Sequence, residues 1–261
     1  MELKRLDIDT ELFPPELRRF VSGAALYDSS CSPEASVVFV DKDGGYFIKS
    51  APGGSLKREA EMTSYFNGKG LAPAVVMYLS GERDLLMTEK LPGDDCTAAK
   101  YLEHPTRLCD TLAELLKRLH ATEHAGCPVT DLARESLAAA EKNFNNGVYD
   151  RDLFPDNWGY RSAEEAFGAL VSGGRLLNSD TLLHGDYCLP NVILDEWDFG
   201  GFVDVGGGGV GDRHADIFWG LWSLAFNLKT DAYRERFIDA YGRGDVDEKR
   251  LRVIAAIEVF K

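Results

Sequence analysis

The sequence predicts an α+β chain in two lobes: a small antiparallel sheet with one helix over residues 1–91, then a mainly helical lobe over 92–261. Two observations define the lobes and a third divides them. Apolar and β-branched residues alternate around glycine-rich turns before residue 90. Leucines recur at helical spacing from about Thr106 onward. Pro92-Gly93-Asp94-Asp95 breaks both patterns and marks the boundary.

Ser36–Val40 and Tyr46–Lys49 flank Asp41-Lys42-Asp43-Gly44-Gly45 and form a hairpin. Ser55 is placed to cap a helix that runs to Asn67 and stops at Gly68 and Gly70. Ala74–Leu79 and Asp84–Glu89 supply two more strands around Gly81. In the second lobe Leu108, Leu112, Leu115, Leu116 and Leu119 lie on one face of a helix over 106–121. Helical patterns follow at 131–145 and 163–173, short strands fill 181–204, and the chain is helical from Asp212 onward.

Composition narrows the function classes. The net charge of −14 argues against a nucleic-acid partner and suits a polycationic small molecule. No apolar stretch is long enough to span a bilayer, and Met1–Asp7 has no signal-peptide pattern, so no membrane partner is expected. The five cysteines are scattered without a C-x-x-C pair, as expected for reduced thiols in a cytoplasm.

The chemistry concentrates in His184-Gly185-Asp186-Tyr187-Cys188-Leu189-Pro190-Asn191 and in Phe202-Val203-Asp204-Val205-Gly206. Phosphoryl transfer from ATP needs a carboxylate that takes or orients the proton of the attacking hydroxyl. It also needs oxygen donors that hold Mg²⁺ on the phosphates. Asp186 fits the first role, and Asn191 with Asp204 fits the second, in the order that kinases write as H-R-D-L-x-x-x-N and D-F-G. A phosphate also needs a cation. Lys49 ends a strand as the V-A-I-K lysine does, and Glu59 lies in the following helix to hold it. Read singly, Asp186 and Asn191 are also ordinary turn residues, and Lys49 an ordinary solvated strand end. It is the five residues in this order that carry the reading.

Two other motifs compete. Gly206–Gly211 contains G-x-G-x-x-G after a strand and before a helix. A dinucleotide site needs further βαβ units, and the remaining residues are helical. His184, Asp186, Asp204, His214 and Asp216 have the residue types of a metallohydrolase site, but that reading leaves Lys49, Glu59 and Asn191 without a purpose. A Walker A sequence is absent.

These residues resemble the aminoglycoside 3′-phosphotransferases of the protein-kinase-like superfamily. The resemblance runs from Cys31-Ser32-Pro33 through Tyr46–Lys49, Arg58-Glu59, Leu85–Glu89, His184–Asn191 and Asp204–Gly206 to Glu258-Val259-Phe260. It implies a bilobal kinase-like fold with ATP and Mg²⁺ as cofactors. The nucleotide would lie in the cleft between lobes. Ser32 would lie in a loop over the β-phosphate, Thr88 and Lys90 would offer backbone hydrogen bonds to adenine, and Met87 would guard the pocket behind it. An acceptor amine would be gripped by Asp156 and Glu258, with Phe260 at the position of the family's terminal aromatic residue.

The sequence also departs from the family. Gly159 stands where a second acid is frequent, Gly207 and Trp222 where arginines are usual, and Ile257 where another Asp is expected. The expected acceptor is therefore a cationic aminoglycoside or related amino-sugar, bound more weakly or over a narrower range. Two alternatives stay open: a kinase for another small hydroxylated metabolite such as an amino alcohol or macrolide, and a nucleotide-binding pseudokinase.

Overall fold

The structure is a computed structural model that describes residues 4–30 and 35–261. The chain divides into two compact units. One comprises residues up to Gly93 together with Gly200–Gly206, and the other Asp94–Phe199 together with Gly207–Lys261. Among the described residues no helix is long and apolar enough to cross a membrane.

The first unit opens with β1 (Lys4–Leu6), α1 (Pro15–Val21) and β2 (Ala25–Asp28), which the sequence pattern had not marked. The proline at the first position of α1 suits a helix start, where a missing N–H costs nothing. The expected hairpin follows as β3 (Ser36–Asp41) and β4 (Tyr46–Pro52), then α2 (Lys57–Asn67), β5 (Val75–Leu79) and β6 (Arg83–Glu89). The six strands form one antiparallel sheet in the order β1-β2-β3-β4-β6-β5. The two sheet faces are packed separately. Ile48 and Met87 join Leu17 and Val21 of α1, whereas Ala51 and Leu86 join Leu56 and Ala60 beside α2.

Ser55 does not cap α2. Its hydroxyl donates to the Pro52 carbonyl, and the residue before the helix is Leu56. The Leu56 N–H donates instead to Oδ2 of Asp84, 2.9 Å away on β6. Asp84 is buried and also accepts from Tyr78 and Ser80, so a tertiary contact replaces the local cap.

The second unit contains β7 (Asp94–Asp95), α3 (Ala99–Leu102), α4 (Pro105–His120), α5 (Leu132–Asn145), α6 (Ala163–Gly173), β8 (Thr181–Leu183) and β9 (Val192–Asp195). β10 (Asp198–Phe202) carries the chain back to the first unit, and β11 (Gly209–Gly211), α7 (His214–Leu228), α8 (Arg234–Tyr241) and α9 (Glu248–Glu258) complete the second. The leucine face of α4 is its buried face, with Leu108, Leu112, Leu116 and Leu119 at most 1% exposed. A second core joins α6 and α9 through Ala166, Leu170, Ile254, Ile257 and Phe260.

Candidate active site

Strand pleating places the cation of the first unit. Successive side chains of a strand point to opposite faces. Ile48 enters the α1 core, so Lys49 lies on the α2 face, where Glu59 occupies the first turn of the helix. Lys49 Nζ donates to both carboxylate oxygens of Glu59 at 2.9 Å and to Oδ1 of Asp204 at 2.9 Å. Its three protons thus have three acceptors. Burial pulls the Lys49 ammonium down, but the Asp204 and Glu59 charges outweigh it and the pKa rises. Burial raises Glu59; Lys49 opposes the shift and the Asp204 charge adds to it. Asp204 is half-exposed and sits at φ 55°, a left-handed backbone that Asp tolerates better than most residues. Glu61 pairs outward with Lys57 at 3.8 Å, as its place on the helix requires.

The loop after β8 is pinned from below. Asp216, in the first turn of α7 and fully buried, accepts from the N–H of His184 at 2.7 Å and of Gly185 at 2.8 Å. Its position also suits the positive end of the helix. His120, at the end of α4, approaches Asp216 through Nε2 at 3.2 Å and the Tyr241 hydroxyl through Nδ1 at 2.7 Å. Burial lowers the His120 pKa more than Asp216 raises it, so the imidazole is neutral near pH 7. Gly185 has φ +86°, and a Cβ there would run into the backbone of Gly207. Close backbone approach therefore accounts for Gly185 and Gly207, and the four-glycine run is packing rather than a dinucleotide fingerprint.

Asp186 is oriented on both carboxylate oxygens. Cys188 Sγ donates to Oδ1 at 3.1 Å, and Asn191 Nδ2 donates to Oδ2 at 2.8 Å and to the Asp186 carbonyl at 2.9 Å. Burial, followed by the Asp186 charge, pushes the Cys188 thiol well above its ordinary value, so it stays protonated and can donate. Ser223 on α7 receives the Leu189 N–H at 2.9 Å and fixes the far end of the loop. Cys188, Asp216, His120 and Ser223 went unassigned to the loop in the sequence. Asp216 showed only as half of a His-x-Asp pair; Cys188 stands at a motif position that spacing leaves unspecified.

The metallohydrolase reading loses His214. Its Nδ1 lies 2.6 Å from Asp212 and its Nε2 receives the Asp247 N–H at 2.8 Å, so both ring nitrogens are engaged. Among the described residues no cluster of three His, Cys, Asp or Glu side chains stands ready for a metal ion.

Other expected positions are placed as follows. Ser32 lies outside the described residues. Met87 is fully buried in the α1 core, and Thr88 lies opposite Phe47 on β4. The Lys90 backbone N–H is given to the Gly45 carbonyl at 2.9 Å. Asp156 is exposed, in a turn over Phe154–Trp158 that closes on Gly159 with φ 73°. That left-handed backbone explains a glycine where an acid was expected. Phe260 also needs correction. It is 1% exposed and packs edge-on against Phe144, so it is core and not an acceptor platform. Glu258 is buried and bound to Lys261 Nζ at 2.6 Å. Trp222 stacks on Phe226 at 5.0 Å.

The chain is similar to known proteins. The chain is 48% identical over 261 residues to a protein of Lactococcus lactis named "Probable aminoglycoside 3′-phosphotransferase", covering 99% of this chain and 98% of that one. It is 29% identical over 252 residues to an aminoglycoside 3′-phosphotransferase of Streptomyces fradiae, covering 92% and 91%. The solved structure of a type VIII aminoglycoside-3′-phosphotransferase superposes with a TM-score of 0.72 at 27% identity, covering 92% and 94%. The fold is thus α+β and kinase-like. A family model described as the phosphotransferase enzyme family matches residues 33–254, and the chain belongs to that family.

Proposed function

We propose that this protein transfers the γ-phosphoryl group of ATP to a hydroxyl of an aminoglycoside or related amino-sugar. The observation that carries the reading is the carboxylate of Asp186, held at one oxygen by Cys188 and at the other by Asn191 on a loop anchored to Asp216. Such a group is oriented before the substrate arrives, which is the main lever in phosphoryl transfer. The relatives' names supply the acceptor class.

In this reading the first unit, from about residue 1 to 91, binds nucleotide, and the second, 92–261, carries catalysis and the acceptor. Lys49 offers phosphate the N–H proton that Asp204 now accepts, and Glu59 holds Lys49. Thr88, on the sheet face of Lys49, lies beside the adenine, whereas Met87 belongs to the opposite, α1 face; Ser32 belongs to the loop over the phosphates. The acceptor hydroxyl gives its proton to Asp186 as its oxygen bonds the γ-phosphorus; the bridging bond breaks and its electron pair leaves with ADP. Mg²⁺, when bound, neutralises charge on the phosphates. The donor set fits it: Asn191 turns its amide nitrogen onto Asp186, which leaves the carbonyl oxygen for a hard cation, and Asp204 offers a carboxylate. Asp156 is an exposed acid for an acceptor amine, and Glu258 a buried one that Lys261 already holds.

A coupled ADP-release assay against a panel of aminoglycosides tests the proposal. Magnesium-dependent turnover of at least one is expected. No aminoglycoside turnover, alongside robust phosphorylation of an amino alcohol or macrolide, overturns it, and absence of transfer to any acceptor favours the pseudokinase.

A further inference from the structure

Lys261 follows the end of α9 and folds back over it. Its ammonium lies 2.6 Å from Oε1 of Glu258, whose side chain is only 2% exposed, while the lysine side chain itself is 50% exposed. The same ammonium sits 5.9 Å from the centre of the Trp219 ring. Glu258 and Lys261, with Gly185 and Gly207, line a cavity of about 40 Å³, with room for at least one water. Asp186 is near enough for its charge to act on Glu258: burial raises the Glu258 carboxyl, Lys261 and then a hydrogen bond from Trp219 oppose the shift, and Asp186 adds to it.

We infer that Lys261 is a specificity-determining residue whose ammonium occupies, as an internal counter-ion, the place at Glu258 that an acceptor amine would take. This rests on the aminoglycoside reading. An ionised carboxylate buried without a cation is costly, and Lys261 is the cation placed on Glu258, with Trp219 a further donor to it. The ammonium sits on a flexible stem that reaches solvent. An incoming ammonium therefore exchanges one ion pair for another and gains little. Acceptors that rely on a single amine at this point are penalised, and those with additional amines for Asp156 lose proportionally less. The residue acts on binding and leaves the transfer step to Asp186.

The test is steady-state kinetics with kanamycin and neomycin on the full chain and on Lys261→Ala, Lys261→Gln and Lys261→Arg. Lys261→Ala is expected to lower the KM for kanamycin about tenfold, with a smaller fall for neomycin and the change falling on KM rather than kcat. Lys261→Arg, which keeps the charge, is expected to restore the higher KM. Ethylammonium should compete with kanamycin in Lys261→Ala more strongly than in the wild type, because it can refill the vacated place. Lys261→Gln serves if the alanine variant fails to fold, judged by thermal unfolding and ADP affinity. A measurable kanamycin KM that stays equal or rises in both neutral variants overturns the role of Lys261 and leaves the acceptor reading intact. No aminoglycoside turnover by any of the four proteins, with transfer to a neutral alcohol, overturns the acceptor reading and this inference with it.

Discussion

The Cys188 thiol donates to Oδ1 of Asp186 at 3.1 Å, so the candidate base is steered by a cysteine two residues along its own loop. A thiol is a weak donor, but this one stays protonated because it is buried beside a carboxylate. Cys188→Ala is expected to lower kcat about three- to tenfold with little change in the KM for ATP, and Cys188→Ser to recover most of the loss. Steady-state kinetics with saturating acceptor check this; an unchanged kcat in the alanine variant would reduce the thiol to a packing group.

Asp186→Asn keeps the shape of the side chain and removes its ability to take a proton. The expected result is a fall in kcat of at least about a hundredfold, with ADP affinity near wild type. Calorimetric ADP binding alongside turnover separates the two effects. Retention of a tenth or more of wild-type kcat would mean that the proton goes elsewhere.

Lys49, Asn191 and Asp204 should fail in different ways. Lys49→Ala is expected to raise the KM for ATP about tenfold or more, whereas Asn191→Ala and Asp204→Ala should raise the Mg²⁺ concentration needed for half-maximal rate. Titrating ATP and Mg²⁺ separately distinguishes them. The same response to both titrations in all three variants would refute a division of labour.

Asp84 ties acid stability to the α2 cap. The Gly54 N–H is the largest influence that holds its carboxyl down, with Leu56, Ser80 and Tyr78 adding, and the pKa falls from 3.8 to about 2. The folded state therefore binds this proton less readily than the unfolded chain. The stabilisation is complete above about pH 4 and is lost as pH falls toward 2. Asp84→Asn is expected to lower Tm at pH 7 by about 5 °C and to flatten the dependence of Tm on pH between 4 and 2. Thermal unfolding across that range checks it; parallel curves for the two proteins would contradict the assignment.

Local periodicity made much of the fold readable, and long-range contacts hid the rest. Lys49 and Glu59 were legible because pleating and the first helical turn are short-range rules, and Asp186 and Asn191 because their spacing lies within one loop. The cap on α2 was not, since Asp84 stands 28 positions from Leu56. The partner of the Lys90 N–H, Gly45 in the β3–β4 turn, was hidden for a similar reason. Phe260 carries no periodic signal that separates a core aromatic from a ligand platform; only Phe144, Tyr149 and Phe167 around it decide the matter. The first strands and α1 were missed because they are short and carry charged residues within them.

β4 pairs with β3 through Val37 and Lys49, and with β6 through Lys49 and Leu86. A slip of one residue would turn Lys49 toward the α1 layer and Ile48 toward Glu59. The ammonium proposed to hold phosphate and the apolar packing of the sheet thus cannot vary independently. On the proposed function, a chain whose sheet closes out of step carries that ammonium away from Glu59 and loses its nucleotide site. Titration of nucleotide sites in a preparation therefore counts the molecules whose strands are correctly aligned, and specific activity per site should stay constant across refolding yields.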